Sequence, residues 1–486
     1  MSLRGAIMIQ GAGSNVGKSL IVAGLCRLAA RKGVRVAPFK PQNMSNNAAA
    51  AQGGEIGRAQ ALQARAAGIE AHIDMNPVLL KPESEQGSQV IVQGKRFATV
   101  RAHEYALLKV QLLGTVLQSY RRLQTMADLI IVEGAGSPAE VNLRQGDIAN
   151  MGFAESADIP VIMIGDIDRG GVIAQLVGAK EVLDAHDAAR VKGFVINKFR
   201  GDLALFNDGY RFIQERTGWR GLGVAPWFDQ AVNLPAEDSA DLKRQRPQSN
   251  GAIKIVVPSF ARIANFDDLD PLFHEPDVNV QIIEPGCAMP GDADLILLPG
   301  SKSTRGDLAF LRRQGWDIDI KAHIRRGGFV LGLCGGYQML GRMLHDPQGL
   351  EGDAGSSVGL SALDIETTIT PRKQVRQTTG VSGLFQDTPI SGYEIHLGET
   401  YGEDCARPFV TREERNDGAI SETGRVFGCY VHGLLASDAF RKKFLALLGG
   451  RSSGVNFNDK VDRTLDALAD HCEAHLDTDR IYGFAH

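Results

Sequence analysis

Cys334 stands in the run Gly327-Gly328-Phe329-Val330-Leu331-Gly332-Leu333-Cys334-Gly335-Gly336-Tyr337-Gln338-Met339-Leu340. An apolar, β-rich stretch reaches a cysteine, meets two glycines and continues into a helix-forming segment, which is the pattern of a tight strand-to-helix turn. Such a turn lifts the thiol out of the sheet. Glycine at 332, 335 and 336 removes Cβ atoms that would crowd the elbow, and amides at the helix N-terminus favour thiolate. A cysteine that merely ends a buried strand would read the same way locally, so a base must decide. Val426-Phe427-Gly428-Cys429-Tyr430-Val431-His432-Gly433 supplies one: a strand ending in a histidine that can take the thiol proton and return it to a leaving group. One strand before the cysteine, Pro299-Gly300-Ser301 is expected to offer an oxyanion amide at Gly300 or Ser301, with a second from Gly335.

A second chemistry is written at the other end of the chain. The strand Ala6-Ile7-Met8-Ile9-Gln10 runs into Gly11-Ala12-Gly13-Ser14-Asn15-Val16-Gly17-Lys18-Ser19, and an amphipathic helix follows over residues 20–31. Strand, glycine loop, Gly-Lys-Ser and helix are in phosphate-loop order, with Ala12 where the first glycine usually stands. Backbone amides from Gly13 through Gly17, including Asn15 and Val16, would cradle phosphates. Lys18 would reach the β and γ oxygens, and Ser19 would hold Mg²⁺. A further strand ends at Lys40, a second cation for developing phosphate charge. Strand 128–132 delivers Glu133 as a second magnesium group. Strand 160–165 ends in Asp166-Ile167-Asp168-Arg169, two carboxylates and an arginine that can bind metal, orient substrate or cap the next helix. Strand 191–196 ends at Asn197, whose amide is expected near adenine. Glu55, in Gly53-Gly54-Glu55-Ile56-Gly57-Arg58-Ala59-Gln60, opens another helix.

These residues need a common scaffold. Four strands of one type, separated by helical segments and each carrying function at its C-terminal end, predict a parallel sheet with helices on both faces. That α/β unit is read over residues 1–235, with a polar linker at 236–251 and a second α/β unit over 252–486 that ends in a helical segment. A chain of 486 residues with 43% hydrophobic and 23% charged residues has ample material for both cores. The net charge of −4 argues against a nucleic-acid or membrane-surface partner drawn by a general basic field. Six cysteines without a CxxC pair, and no long apolar run or signal pattern, read as a reduced cytoplasmic protein without membrane insertion. Homo-oligomerisation is left open.

Gly-Leu-Cys-Gly-Gly-Tyr-Gln around Cys334, with His432, resembles the class I glutamine amidotransferase domain, whose thiolate attacks the glutamine side-chain amide and releases ammonia. Most members carry glutamate two residues after the histidine, where this chain has Leu434. That departure matches the cobyric acid and cobyrinic acid diamide synthase branch, which works with the Cys-His pair. Pro38-Phe39-Lys40-Pro41 after the phosphate loop resembles the dethiobiotin synthetase group, which activates carboxylates as acyl phosphates. Gly392-Tyr393-Glu394-Ile395-His396-Leu397-Gly398 leans toward the cobyric acid synthase family within the branch. The resemblance implies ATP, Mg²⁺ and L-glutamine as reactants, and a corrinoid acceptor, adenosylcobyrinic acid a,c-diamide, with four peripheral carboxylates to amidate. Relatives commonly have aspartate where this chain has Gln52, so Glu55, or the Gln52 amide oxygen, would have to serve magnesium there. Two other readings stay open on sequence: a diamide synthase acting on the a and c carboxylates, and a phosphate-loop switch with a silent cysteine domain. Residues 345–425 carry no assignable role.

Overall fold

Strand β1 (Gly5–Gly11) lies at the centre of a six-stranded sheet in which every neighbour runs parallel. The computed structural model describes residues 4–485 apart from 83–86, 236–250 and 414, so the predicted linker lies almost wholly outside the described residues. With β2 (Val36–Phe39), β5 (Leu129–Glu133), β6 (Val161–Asp166), β7 (Val191–Phe199) and β8 (Arg220–Pro226), the sheet order is β8-β7-β6-β1-β5-β2. The strands are apolar on both sides because both faces are covered. Ile7, Ile9, Ile131 and Ile164 feed one core, while Met8, Ile130, Val132 and Met163 feed the other, the period of two expected of a pleated strand. Register brings Ile9 opposite Glu133 and Asp166 opposite Asn197, so the strand ends align at one edge.

Between β2 and β5 the chain makes an antiparallel hairpin, β3 (Ala48–Ala51) with β4 (Gly54–Gly57), that leads directly into helix α2 (Arg58–Ala66). A second small sheet includes strand Val78–Pro82, which carries Lys81.

The second unit repeats the parallel design. Strands β9 (Ile253–Pro258), β10 (Val278–Ile283), β11 (Leu295–Leu298), β12 (Phe329–Leu333) and β14 (Val426–Cys429) form the order β10-β9-β11-β12-β14, with Ala419–Ile420 antiparallel at the edge. β12 thus lies between the strand before Gly300 and the strand before His432. Residues 345–425, unassigned from sequence, contribute to small, mostly antiparallel sheets, whose strands include β13 (Pro389–His396).

The last helices, read with the unit at 252–486, pack on the first unit. Helix α4 (Phe457–His475) has an apolar stripe at Val461, Leu465, Leu468 and Cys472, and it packs on α1 (Lys18–Arg31) of the first unit. Each such buried side chain contributes about 1.5–3 kcal/mol. Gly24 permits the close approach, since a Cβ there would lie 2.5 Å from Cys472 Sγ. Arg27 forks onto Asp466 at 2.8 and 3.1 Å, and Tyr482 Oη donates to Leu25 O at 2.8 Å. Helix α1 is therefore covered on both sides, which explains its buried residues around nearly the whole circumference.

Candidate active site

Cys334 occupies the turn between β12 and α3 (Gly335–Leu340) at φ 50° and ψ −107°, a left-handed value that costs a non-glycine residue conformational energy. Packing holds the strain. A Cβ on Gly336 would lie 2.1 Å from Leu298 O, and one on Gly335 would lie 2.8 Å from Ser301 N, so the elbow sits tightly against the Gly300 loop. Cys334 N donates to Cys429 O at 2.8 Å, and the thiol points to Ile395 O at 3.6 Å. Gly300 pairs with Ala264, and a Cβ on it would approach His432 Cε1 at 3.1 Å. Ser301 Oγ donates to Asp307 at 2.6 Å, fixing that loop; burial raises the Asp307 carboxyl to about 6. Cys334, Gly300, Ser301 and His432 line one cavity, which Asn46 and Lys81 of the first unit also border.

His432 is fully buried, and its Nδ1 lies 2.7 Å from Asp268 Oδ2. Gly433 N donates to the other Asp268 oxygen at 2.6 Å. Nε2 has no hydrogen-bond partner among the described residues, and besides Asp268 it is the Cys334 thiol that acts on the ring. Burial alone would lower the imidazole; the Asp268 carboxylate reverses this and, with Cys334, raises it to about 10. A carboxylate partner for the histidine therefore exists despite Leu434. Sequence reasoning missed Asp268 because it lies 164 residues before His432. The available signal was the acidic run Asp267-Asp268-Leu269-Asp270 just past β9, at the edge where strand ends converge.

Tyr393 of β13 stacks on the His432 ring, with centroids 5.3 Å apart and planes 20° from parallel, and the two backbones exchange hydrogen bonds at 3.0 and 2.9 Å. The otherwise unassigned insertion thus walls the histidine and presents Ile395 O to the thiol.

At the first sheet, Asn15 (φ 58°) and Gly17 (φ 95°) turn the loop sharply into α1. Lys18 Nζ donates to Gly13 O at 3.1 Å and to Gly136 O at 3.0 Å, which holds the ammonium over the loop. Ser19 Oγ and Lys40 Nζ each reach Glu133 Oε1 at 2.8 Å. Gln63 of α2 donates to Glu133 Oε2 at 2.6 Å, a contact the sequence reading did not anticipate. Val16 is buried and lends its carbonyl to Asn197 Nδ2 at 2.9 Å, so that amide nitrogen anchors the loop from behind. Lys198 bridges Asn15 O at 2.6 Å and Asp166 at 2.8 Å; Asp168 pairs with Arg200 at 2.9 Å, and Arg169 stands exposed, 3.9 Å from Asp166.

Glu55, expected as a stand-in magnesium group, has its ion-pair partners elsewhere. The hairpin turns it toward the seam, where it pairs with Lys81 at 2.5 Å and with Lys373 of the second unit. Burial opposes the Glu55 charge, but the two lysines hold it down to about 2; burial pulls Lys373 to about 7 despite Glu55. Gln52 lies on the exposed hairpin turn, bridged to His72.

Comparison with known proteins agrees with this two-centre layout. Residues 7–241 match the model for the CobQ/CobB/MinD/ParA nucleotide binding domain, and residues 254–440 that for the CobB/CobQ-like glutamine amidotransferase domain. A cobyric acid synthase of Rhodobacter capsulatus is 62% identical over 486 residues, covering 99% of both chains. That of Paracoccus denitrificans (strain Pd 1222) is 60% identical over 482 residues, covering 99% of this chain and all of its own length (100%). A phosphate-loop unit and a cysteine elbow facing a histidine, matched along the whole chain at this identity, make it a member of the cobyric acid synthase family of glutamine amidotransferases.

Proposed function

We propose that this chain amidates the b, d, e and g carboxylates of adenosylcobyrinic acid a,c-diamide in cobalamin biosynthesis, using ATP and glutamine. The observation that carries the proposal is one chain's pairing of a strained Cys334 facing His432 with a Lys18–Lys40–Glu133 cluster at a phosphate loop.

A carboxylate oxygen is a poor leaving group, and ammonia in neutral water is mostly protonated. Each centre removes one obstacle. At the second unit, Asp268 fixes the imidazole with Nδ1–H toward its carboxylate, and Nε2 holds the proton taken from the Cys334 thiol, the state that the raised His432 pKa favours. The sulfur attacks the glutamine side-chain amide carbon, and amides near Gly300 and at Gly335 stabilise the oxyanion, each worth about 3 kcal/mol in a dry site. His432 returns the proton to departing ammonia, and water then releases glutamate from the thioester. At the first unit, Lys18 and Lys40 neutralise phosphate charge while the substrate carboxylate attacks the γ-phosphate, the bond to the β–γ bridging oxygen breaks and ADP leaves. Ammonia displaces phosphate from the resulting acyl phosphate.

Ser19 Oγ and Glu133 Oε1 form a hard oxygen pair suited to Mg²⁺ completed by phosphate and water. Among the described residues no cluster of three or more His, Cys, Asp or Glu could hold a metal, in keeping with an ion held chiefly by nucleotide. When bound, Mg²⁺ would shield the charge of the β and γ phosphates. Asp166 and Arg169 flank the loop, where they would orient substrate or phosphate, and Asn197 keeps its amide oxygen for adenine.

Mass spectrometry of cobyrinic acid a,c-diamide incubated with protein, glutamine and Mg-ATP tests the acceptor. Four successive carboxylate-to-amide changes are expected; an unchanged acceptor with glutamine still consumed would refute it.

A further inference from the structure

The glutamine centre borrows a residue from the ATP-binding unit. Arg58, the first residue of α2, is partly buried against the second unit, where its Nη2 lies 2.8 Å from Asp267 Oδ2 and donates to Tyr393 Oη. Its guanidinium carbon stands 4.8 Å from the Tyr393 ring centroid. Tyr393 Oη also contacts both Asp267 oxygens at 3.2 Å. Both of these partners bear directly on His432: Tyr393 by stacking and backbone pairing, Asp267 as the neighbour of Asp268. The same Arg58 nitrogen donates to Ala48 O at 2.9 Å, while Ala48 N donates to Asn265 Oδ1 at 3.2 Å, so the hairpin before α2 is sewn to the loop bearing Asp267 and Asp268. One turn further along α2, Gln63 reaches Glu133. A single short helix therefore touches both centres.

We propose that Arg58 is a positioning residue for His432, supplied by the ATP-binding unit, so that the glutamine-hydrolysing centre is fully assembled only while α2 is seated against Asp267 and Tyr393. The inference rests on reading Cys334 and His432 as a glutaminase pair. Arg58 touches no reacting atom; it fixes the tyrosine wall and the acidic loop that together set the imidazole's plane and place. A shift of about 1 Å in such a group costs roughly 10²-fold in rate.

The test compares glutamine hydrolysis and ammonia-dependent synthesis in full-length Arg58→Ala and Arg58→Lys. Arg58→Ala is expected to lose about 10- to 100-fold in glutaminase kcat with KM for glutamine nearly unchanged, while ammonia-dependent synthesis stays within about threefold. Arg58→Lys, which keeps a cation beside Asp267 without the planar guanidinium against the Tyr393 ring, should recover part of the loss. Should Arg58→Ala fail to fold, Arg58→Met with Asp267→Asn removes both charges together and is expected to fold with the same kcat loss. Wild-type glutaminase kcat in either folded variant would overturn the inference, as would an equal fall in ammonia-dependent synthesis. Cys334→Ala run in parallel separates the two levels: if wild-type glutamine hydrolysis does not depend on Cys334, the underlying glutaminase reading falls first.

Discussion

The phosphate-loop centre and the thiol centre are built on the same plan, a parallel sheet with chemistry at its C-terminal edge, yet they are assembled differently. Gly13 to Ser19 is one unbroken stretch, and its distant contributors, Lys40 and Glu133, each end an adjacent strand. The thiol centre draws Asp268, Cys334, Tyr393 and His432 from four separate segments and leans on Arg58 from the other unit. A continuous loop carries its own geometry, whereas a dispersed centre depends on how the sheets and units pack. Damage to the first should silence all synthesis; damage to the second should spare the ammonia route.

The largest expected effect is Lys18→Ala, which should reduce synthesis from glutamine and from ammonia alike by roughly 10³-fold, because Lys18 holds its ammonium over the loop between Gly13 O and Gly136 O. Steady-state assays with each nitrogen source check it; normal ammonia-dependent turnover would remove Lys18 from the ATP centre. Asp268→Asn should lower glutaminase kcat about 10²-fold or more through loss of imidazole orientation, with ammonia-dependent synthesis retained. Equal loss by both routes would mean Asp268 serves the fold alone. Leu468→Ala should cost about 2–5 kcal/mol in denaturant unfolding, since its side chain is buried against α1, and a cost near zero would contradict the docking of α4 on the first unit.

The smallest effect is electrostatic. An unfolded histidine titrates near 6.5, while folded His432 is raised to about 10, so the folded state holds the extra proton between those values. The stabilisation is full below about pH 6.5 and is lost as pH rises toward about 10. Asp268→Asn should flatten the thermal midpoint across that window relative to wild type, and parallel curves for the two proteins would contradict the coupling.

How much of this was legible beforehand follows the same division. The loop, Lys40, Glu133 and the Cys334 elbow were readable because each is a local pattern of strand, glycine and helix, and His432 because it ends a strand. Asp268 and Arg58 were not, since pairing across 164 residues or across a unit seam leaves no spacing in sequence. The surroundings of Glu55 were not legible, because its place in a motif says nothing of where a hairpin turns it. Helix α4 was visible from its apolar stripe; its partner was not, because a stripe records what is buried but not against what.

The most direct measurement is the nitrogen source used by folded Cys334→Ala, followed with glutamine labelled at its amide nitrogen and with free ammonia. The account predicts no label transfer from glutamine and near wild-type synthesis from ammonia. Loss of synthesis from both, or label transfer without the thiol, would contradict two separable centres in one chain.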